Sequence, residues 1–186
     1  MKAIADLLFE SNMLKSIPRS GFAFLGAGHE SVAEHVYSTT FIAWVMARLV
    51  PEADALRLVS MCLIHDLPEA RMGDLNSVQK KYVTTDETAA IRAATARLPF
   101  GGAITDLLEE FNANGTLEAR LARDADYLSF VIELKSLSDR GYATADKWLA
   151  HVLPRITTET GKQLADAVMA ARRDAWWLDN FVDRSP

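Results

Sequence analysis

The run Leu56-Arg57-Leu58-Val59-Ser60-Met61-Cys62-Leu63-Ile64 ends on His65-Asp66, and this junction constrains the fold more than any other stretch of the chain. Apolar residues cover nearly every side of the helix it would form, the pattern of a helix at the centre of a globule. Two neighbouring ionisable groups at the buried end of such a helix are costly to desolvate unless something offsets their charge. A divalent cation is one such compensation, since imidazole and carboxylate are both ready ligands for it. Glu69 and Asp74 follow closely, with Pro68 and Gly73 bending the backbone between them.

The rest of the chain reads as a succession of helices. Ile4, Leu7, Leu8 and Met13 recur at helical spacing, and Ile17-Pro18-Arg19-Ser20-Gly21 breaks that helix. Phe22 to Gly28 is short and glycine-punctuated, either extended or a loop. Ser31-Val32-Ala33-Glu34 matches a capping box and starts a helix that carries His35 and runs to about Leu49. Pro51 suits the first turn of the next helix, which delivers His65 and Asp66. Thr84-Thr85-Asp86-Glu87 opens a helix to Leu98, Ile104 to Phe111 forms another, and Thr116 begins a long one reaching Leu137. Ala145 to Leu153 and Thr160 to Phe181 complete an all-α chain, for no segment alternates long enough to be a strand.

Composition removes several classes of function. A chain of 186 residues with 49% hydrophobic and 24% charged residues can bury one substantial core, so residues 1–186 are expected to form one domain. A formal net charge of -5 with scattered Lys and Arg argues against a nucleic-acid partner. The single cysteine, Cys62, lies in an apolar run and reads as packing, which suits a reducing compartment. Asp6 interrupts what would have to be a signal core and no apolar run reaches spanning length, so the expectation is a cytoplasmic protein without a membrane partner.

His35, His65-Asp66 and either Asp124 or Asp126 come from separate helices, and such ligands can converge in the centre of a bundle. Helical periodicity places Asp124 on the main apolar stripe with Leu117, Leu121 and Leu128, and Asp126 on the opposite side beside Ala122 and Ser129. His29 and His151 carry no signal. Trp44, Trp148, Trp176 and Trp177 read as core or interface anchors rather than base-stacking platforms.

Glu30-Ser31-Val32-Ala33-Glu34-His35, His65-Asp66-Leu67-Pro68-Glu69, Gly73-Asp74-Leu75 and Asp124-Ala125-Asp126-Tyr127-Leu128 together resemble the ordered motifs of the HD-domain superfamily. Within it the chain is most similar to the small 5′-deoxynucleotidase-like branch, over a motif-bearing core of about residues 10–137, with C-terminal helices over 145–181 packing on it. The resemblance implies an HD-domain helical bundle with a central site for one divalent metal ion (Co, Mn, Mg, Zn or Fe). It further implies a nucleotide substrate and a homodimer. Its metal ligands would be His35, His65, Asp66 and Asp126, with Asp124 as the fallback. Glu69, one turn from Asp66, is the first choice for handling protons, and Asp74 the second catalytic candidate. Arg19 sits where the branch carries a phosphate-binding arginine, Lys80 or Lys81 could add charge, and Glu110 resembles an acidic position near the pocket. The implied reaction removes phosphate from (deoxy)ribonucleoside 5′-monophosphates by attack of a metal-activated water. A phosphodiesterase, a nucleoside triphosphate hydrolase or a non-catalytic nucleotide- or metal-binding protein are the alternatives. Ser20 follows Arg19 where the deoxynucleotidase proper has a bulky tryptophan, which leaves sugar selectivity open.

Overall fold

Side-chain caps set where the principal helices begin. The computed structural model describes residues 1–181, and its helices in chain order are α1 (Lys2–Met13), α2 (Phe22–Leu25), α3 (Val32–Leu49), α4 (Ala55–Ile64), α5 (Glu69–Met72), α6 (Glu87–Thr95), α7 (Gly101–Ala113), α8 (Leu117–Ser138), α9 (Thr144–Val152), α10 (Glu159–Ala170) and α11 (Ala175–Phe181). Ser31 accepts from the Glu34 amide while the Glu34 carboxylate accepts from the Ser31 amide at 2.6 Å, the reciprocal bonds of a capping box. Asp86, Thr116 and Thr158 each accept from the amide three residues on, starting α6, α8 and α10. Among the described residues no strand forms, only an isolated bridge between Pro18 and Ser31. Two hydrogen bonds flank it, Arg19 N–H to the Glu30 carbonyl and Val32 N–H to the Ile17 carbonyl, both at 2.9 Å.

Three sequence expectations are corrected here. Pro51 does not open α4; it lies in the turn leaving α3, and Asp54 is the cap, its carboxylate accepting from Arg57 N–H at 3.0 Å. Phe22–Leu25 is a single helical turn, stopped by Gly26 at φ 71°, where a left-handed residue satisfies the last carbonyl. The C-terminal stretch is two helices, because Ala171 is extended at φ -81°, ψ 152° and the Arg173 amide turns aside to Asp139 Oδ2 at 2.9 Å.

α3, α4 and α8 pack on one another to make the centre, and α9 and α10 close over α8. One hydrophobic cluster draws residues from Phe22 to Ala165, with Met46, Leu58, Met61, Leu121, Leu128 and Leu134 fully buried. α8 buries residues on every side, including Asp124 and Ser129. That all-round burial is why its apolar stripe could not tell which aspartate faces the site.

Candidate metal centre

His35 lies in the first turn of α3, which the capping box holds at the middle of the bundle, and its side chain is fully buried. Its Nε2 is 3.0 Å from Asp126 Oδ1 on α8 and 3.7 Å from Asp66 Oδ2, while its Nδ1 faces Ser129 Oγ at 3.2 Å. His65 caps the C-terminus of α4, where its Nδ1–H donates to the Cys62 carbonyl at 2.8 Å. A carbonyl can only accept, so the proton belongs on Nδ1 and the Nε2 lone pair is left free. That Nε2 is buried and has no hydrogen-bond partner, although Asp66 Oδ2 lies 3.3 Å away. Buried polar atoms are rarely left orphaned.

Ligand atoms of His35, His65 and Asp126 all lie within 4.8 Å of one another, and Asp66 borders the same space. Burial pushes His35 below the usual imidazole value, against the opposing pull of Asp126. Burial also opposes ionisation of Asp66 and Asp126, yet His65, His35 and Arg19 hold Asp66 well below the usual carboxylate range, and His35 holds Asp126 at about 2. Two ring nitrogens and two ionised carboxylates converging away from water fit a divalent cation of the borderline kind. Each histidine is oriented from its other nitrogen, the arrangement that aims metal ligands.

Arg19 lines a cavity of about 260 Å³ beside the cluster, its guanidinium 3.3 Å from Asp66 Oδ2 and 3.8 Å from Asp74 Oδ1. The bridge and its flanking hydrogen bonds fix the loop that carries it. Asp74 Oδ2 accepts from Ser20 N–H at 2.6 Å and Ser20 Oγ at 3.2 Å, tying the turn after Gly73 to the same loop. Glu69 lines the cavity with a buried Oε2 that has no partner. Burial, and then Asp66 and Asp74, push it up to about 9.

The remaining sequence candidates divide. Lys80 lines the cavity, whereas Lys81, its neighbour in a short 3-10 turn, is not part of the wall. Glu110 is turned away: Arg57 and Thr116 hold its carboxylate outside the cavity, so it cannot meet a substrate there. Asp124 is engaged elsewhere, accepting from Thr157 N–H at 3.0 Å and Thr158 N–H at 2.7 Å. Sequence reasoning passed over Arg123, which stands 3.9 Å over the Phe111 ring and 3.8 Å from Asp126 in the cavity wall. Its i, i+3 spacing to Asp126 was a readable signal. Trp148 and Phe130 also line the cavity and left no local pattern to read.

Comparison with known proteins gives the family and the fold. The sequence matches the family described as HD domain over residues 11–168. It is 26% identical over 144 residues to 5′-deoxynucleotidase HDDC2 of Homo sapiens, covering 74% of this chain and 70% of that protein. The Danio rerio protein of the same name is 29% identical over 64% of this chain and 62% of its own. A conserved hypothetical protein from Pyrococcus furiosus superposes with a TM-score of 0.76 at 29% identity, covering 91% of this chain and 99% of that one. A "predicted metal-dependent phosphohydrolase" from Magnetospirillum magnetotacticum MS-1 shares the fold, with a TM-score of 0.67 at 23% identity over 90% of this chain and 89% of that one.

Proposed function

The chain belongs to the HD domain family, and on that premise we propose that it is a metal-dependent phosphohydrolase releasing phosphate from (deoxy)ribonucleoside 5′-monophosphates. The observation that carries this reading is the orphaned Nε2 of His65, buried against His35, Asp66 and Asp126, with Arg19 paired to Asp66 beside them. His35, His65, Asp66 and Asp126 would hold a divalent ion, which when bound would acidify a water and offset charge on the phosphoryl oxygens. The protein does the rest. Arg19, aligned by Asp66 and Asp74, takes the phosphate oxygens with its planar fork, and Lys80 adds a second positive charge. Glu69, whose carboxyl is raised to about 9 by burial and its acidic neighbours, would orient the attacking water and take its proton once a bound cation offset the charge of Asp66. A new P–O bond forms as the bond from phosphorus to the 5′ oxygen breaks, and the departing oxygen gains the proton that Glu69 took from the water, or one from solvent, while Asp74 keeps Ser20 and Arg19 in place.

The name shared by the Homo sapiens and Danio rerio relatives, 5′-deoxynucleotidase, supports the monophosphate as substrate. We read residues 1–186 as one domain acting as a cytoplasmic homodimer. In support, no helix among the described residues is long and apolar enough to cross a membrane, and Tyr37, Phe41 and Trp44 stack as an exposed aromatic row along α3. Sedimentation velocity checks the assembly, and a monomer at all concentrations would refute that part.

The deciding experiment measures phosphate released from deoxy- and ribonucleotides after chelation and return of manganese, cobalt, magnesium, zinc or iron. Orthophosphate from monophosphates is expected. Triphosphate released from a nucleoside triphosphate would instead make it a triphosphate hydrolase, and silence with every metal would leave a nucleotide- or metal-binding protein.

A further inference from the structure

A second cavity, of about 500 Å³, opens beside the first and shares Arg19, Lys80, Asp126, Phe130 and Trp148 with it. Its own wall is aromatic, with Phe24 and Tyr127 joining Phe130 and Trp148. These rings are not loose. Phe130 meets Trp148 edge to face at 5.8 Å and Phe22 at 6.3 Å, and the Arg155 guanidinium stands 5.9 Å over Tyr127.

Trp148 reaches this place from α9, far along the chain from Arg19. Gly21 lies beside it: a Cβ there would stand 3.9 Å from the indole edge, an ordinary van der Waals contact. Ser20 faces the other way, with both its amide and its hydroxyl spent on Asp74. The space beside the phosphate clamp is therefore walled by an indole from the C-terminal half, where the local sequence Ser20-Gly21 offers no bulk. A planar ring on the far side of a sugar from the bound phosphate would enter this cavity. Every nucleobase has a π face to stack on such a wall, and the polar rim of Lys80, His151 and Arg155 suits its heteroatom edges.

We propose that Trp148 is a specificity-determining residue: it stacks on the base of the nucleotide and makes a base-bearing phosphomonoester a better substrate than a base-free one. This rests on the phosphohydrolase reading above, and it adds a role to the core anchoring that the packing of Trp148 bears out.

The test compares kcat/KM for 2′-deoxyadenosine 5′-monophosphate with that for deoxyribose 5-phosphate in the wild type, Trp148→Phe and Trp148→Leu, alongside calorimetric binding of free deoxyadenosine. Stacking on one aromatic face predicts that Trp148→Leu lowers the base-bearing to base-free ratio about tenfold, through KM, and that Trp148→Phe recovers most of it. An unchanged ratio in Trp148→Leu, or equal losses on both substrates, overturns the proposal. If the wild type hydrolyses neither compound, the phosphohydrolase reading fails, and deoxyadenosine binding decides alone: about tenfold weaker binding in Trp148→Leu sustains the base site, equal binding removes it. Circular dichroism confirms that both variants fold.

Discussion

At the scale of single residues, His65 has its ring orientation settled by one backbone carbonyl, which leaves the opposite nitrogen without a hydrogen-bond partner, 3.3 Å from Asp66 Oδ2. His65→Ala should lose the metal and nearly all turnover, whereas Glu69→Ala should keep the metal, measured by elemental analysis, while slowing phosphate release about a hundredfold or more. Metal lost from Glu69→Ala would move that residue into the ligand set. Glu30 offers a separate measurement. Burial, then Glu133, raise its carboxyl to about 7 against an ordinary 4.5, with Glu34 and Asp66 adding repulsion and Arg19 opposing it. Between those two values the folded protein holds a proton that the unfolded chain has released, so this group removes stability as pH rises from 4.5 to 7. Glu30→Gln should gain roughly 1–3 kcal/mol over the wild type above that window and nothing below it, in urea titrations across pH. His65 was readable as a candidate because ionisable residues at the buried end of an apolar helix are rare, whereas His35, in the first turn of α3, was readable through the motif that carries it. Choosing Asp126 over Asp124 was not a matter of pattern, since α8 is buried on both faces where the two aspartates lie.

Among the helices, the join between α8 and α10 depends on Asp124, which receives two backbone amides and the Thr158 hydroxyl at 2.6 Å in a fully buried position. Gly161 is required beside it, because a Cβ there would stand 2.5 Å from Asp124 Oδ2. Asp124→Ala strands those donors and should cost about 2–4 kcal/mol in chemical denaturation, with metal content unchanged in the folded fraction. Caps such as Ser31 with Glu34, Asp86 and Thr116 were legible because each is a local exchange of hydrogen bonds within four residues. Pro51 misled because its preference for a first helical turn was outcompeted by the carboxylate of Asp54, whose own amide also reaches Glu118 at 2.8 Å. The break at Ala171 depends on Asp139, a partner distant in sequence that no local window contains.

For the molecule as a whole, the metal cluster ties α3, the end of α4 and α8 together at the point where all three are buried. A ligand that binds only the folded state stabilises it by mass action, about 2.7 kcal/mol at a hundredfold excess over Kd. Chelation should therefore lower the melting temperature by roughly 5–10 °C in a chain of this size, read by calorimetry, and His65→Ala should be insensitive to chelator. All-helical architecture was legible because periodicity is repeated over many residues, whereas the aromatic cavity was not, since Phe24, Tyr127 and Trp148 meet only after α8 and α9 have packed. The Pro18–Ser31 bridge has one more implication. It fastens the segment bearing Arg19 directly to the residue from which the His35 helix departs, like a rivet through two plates. On the roles proposed above, a shift of the Arg19 segment would pass through Ser31 to the helix that carries His35, coupling the hold on an anion to the hold on an ion.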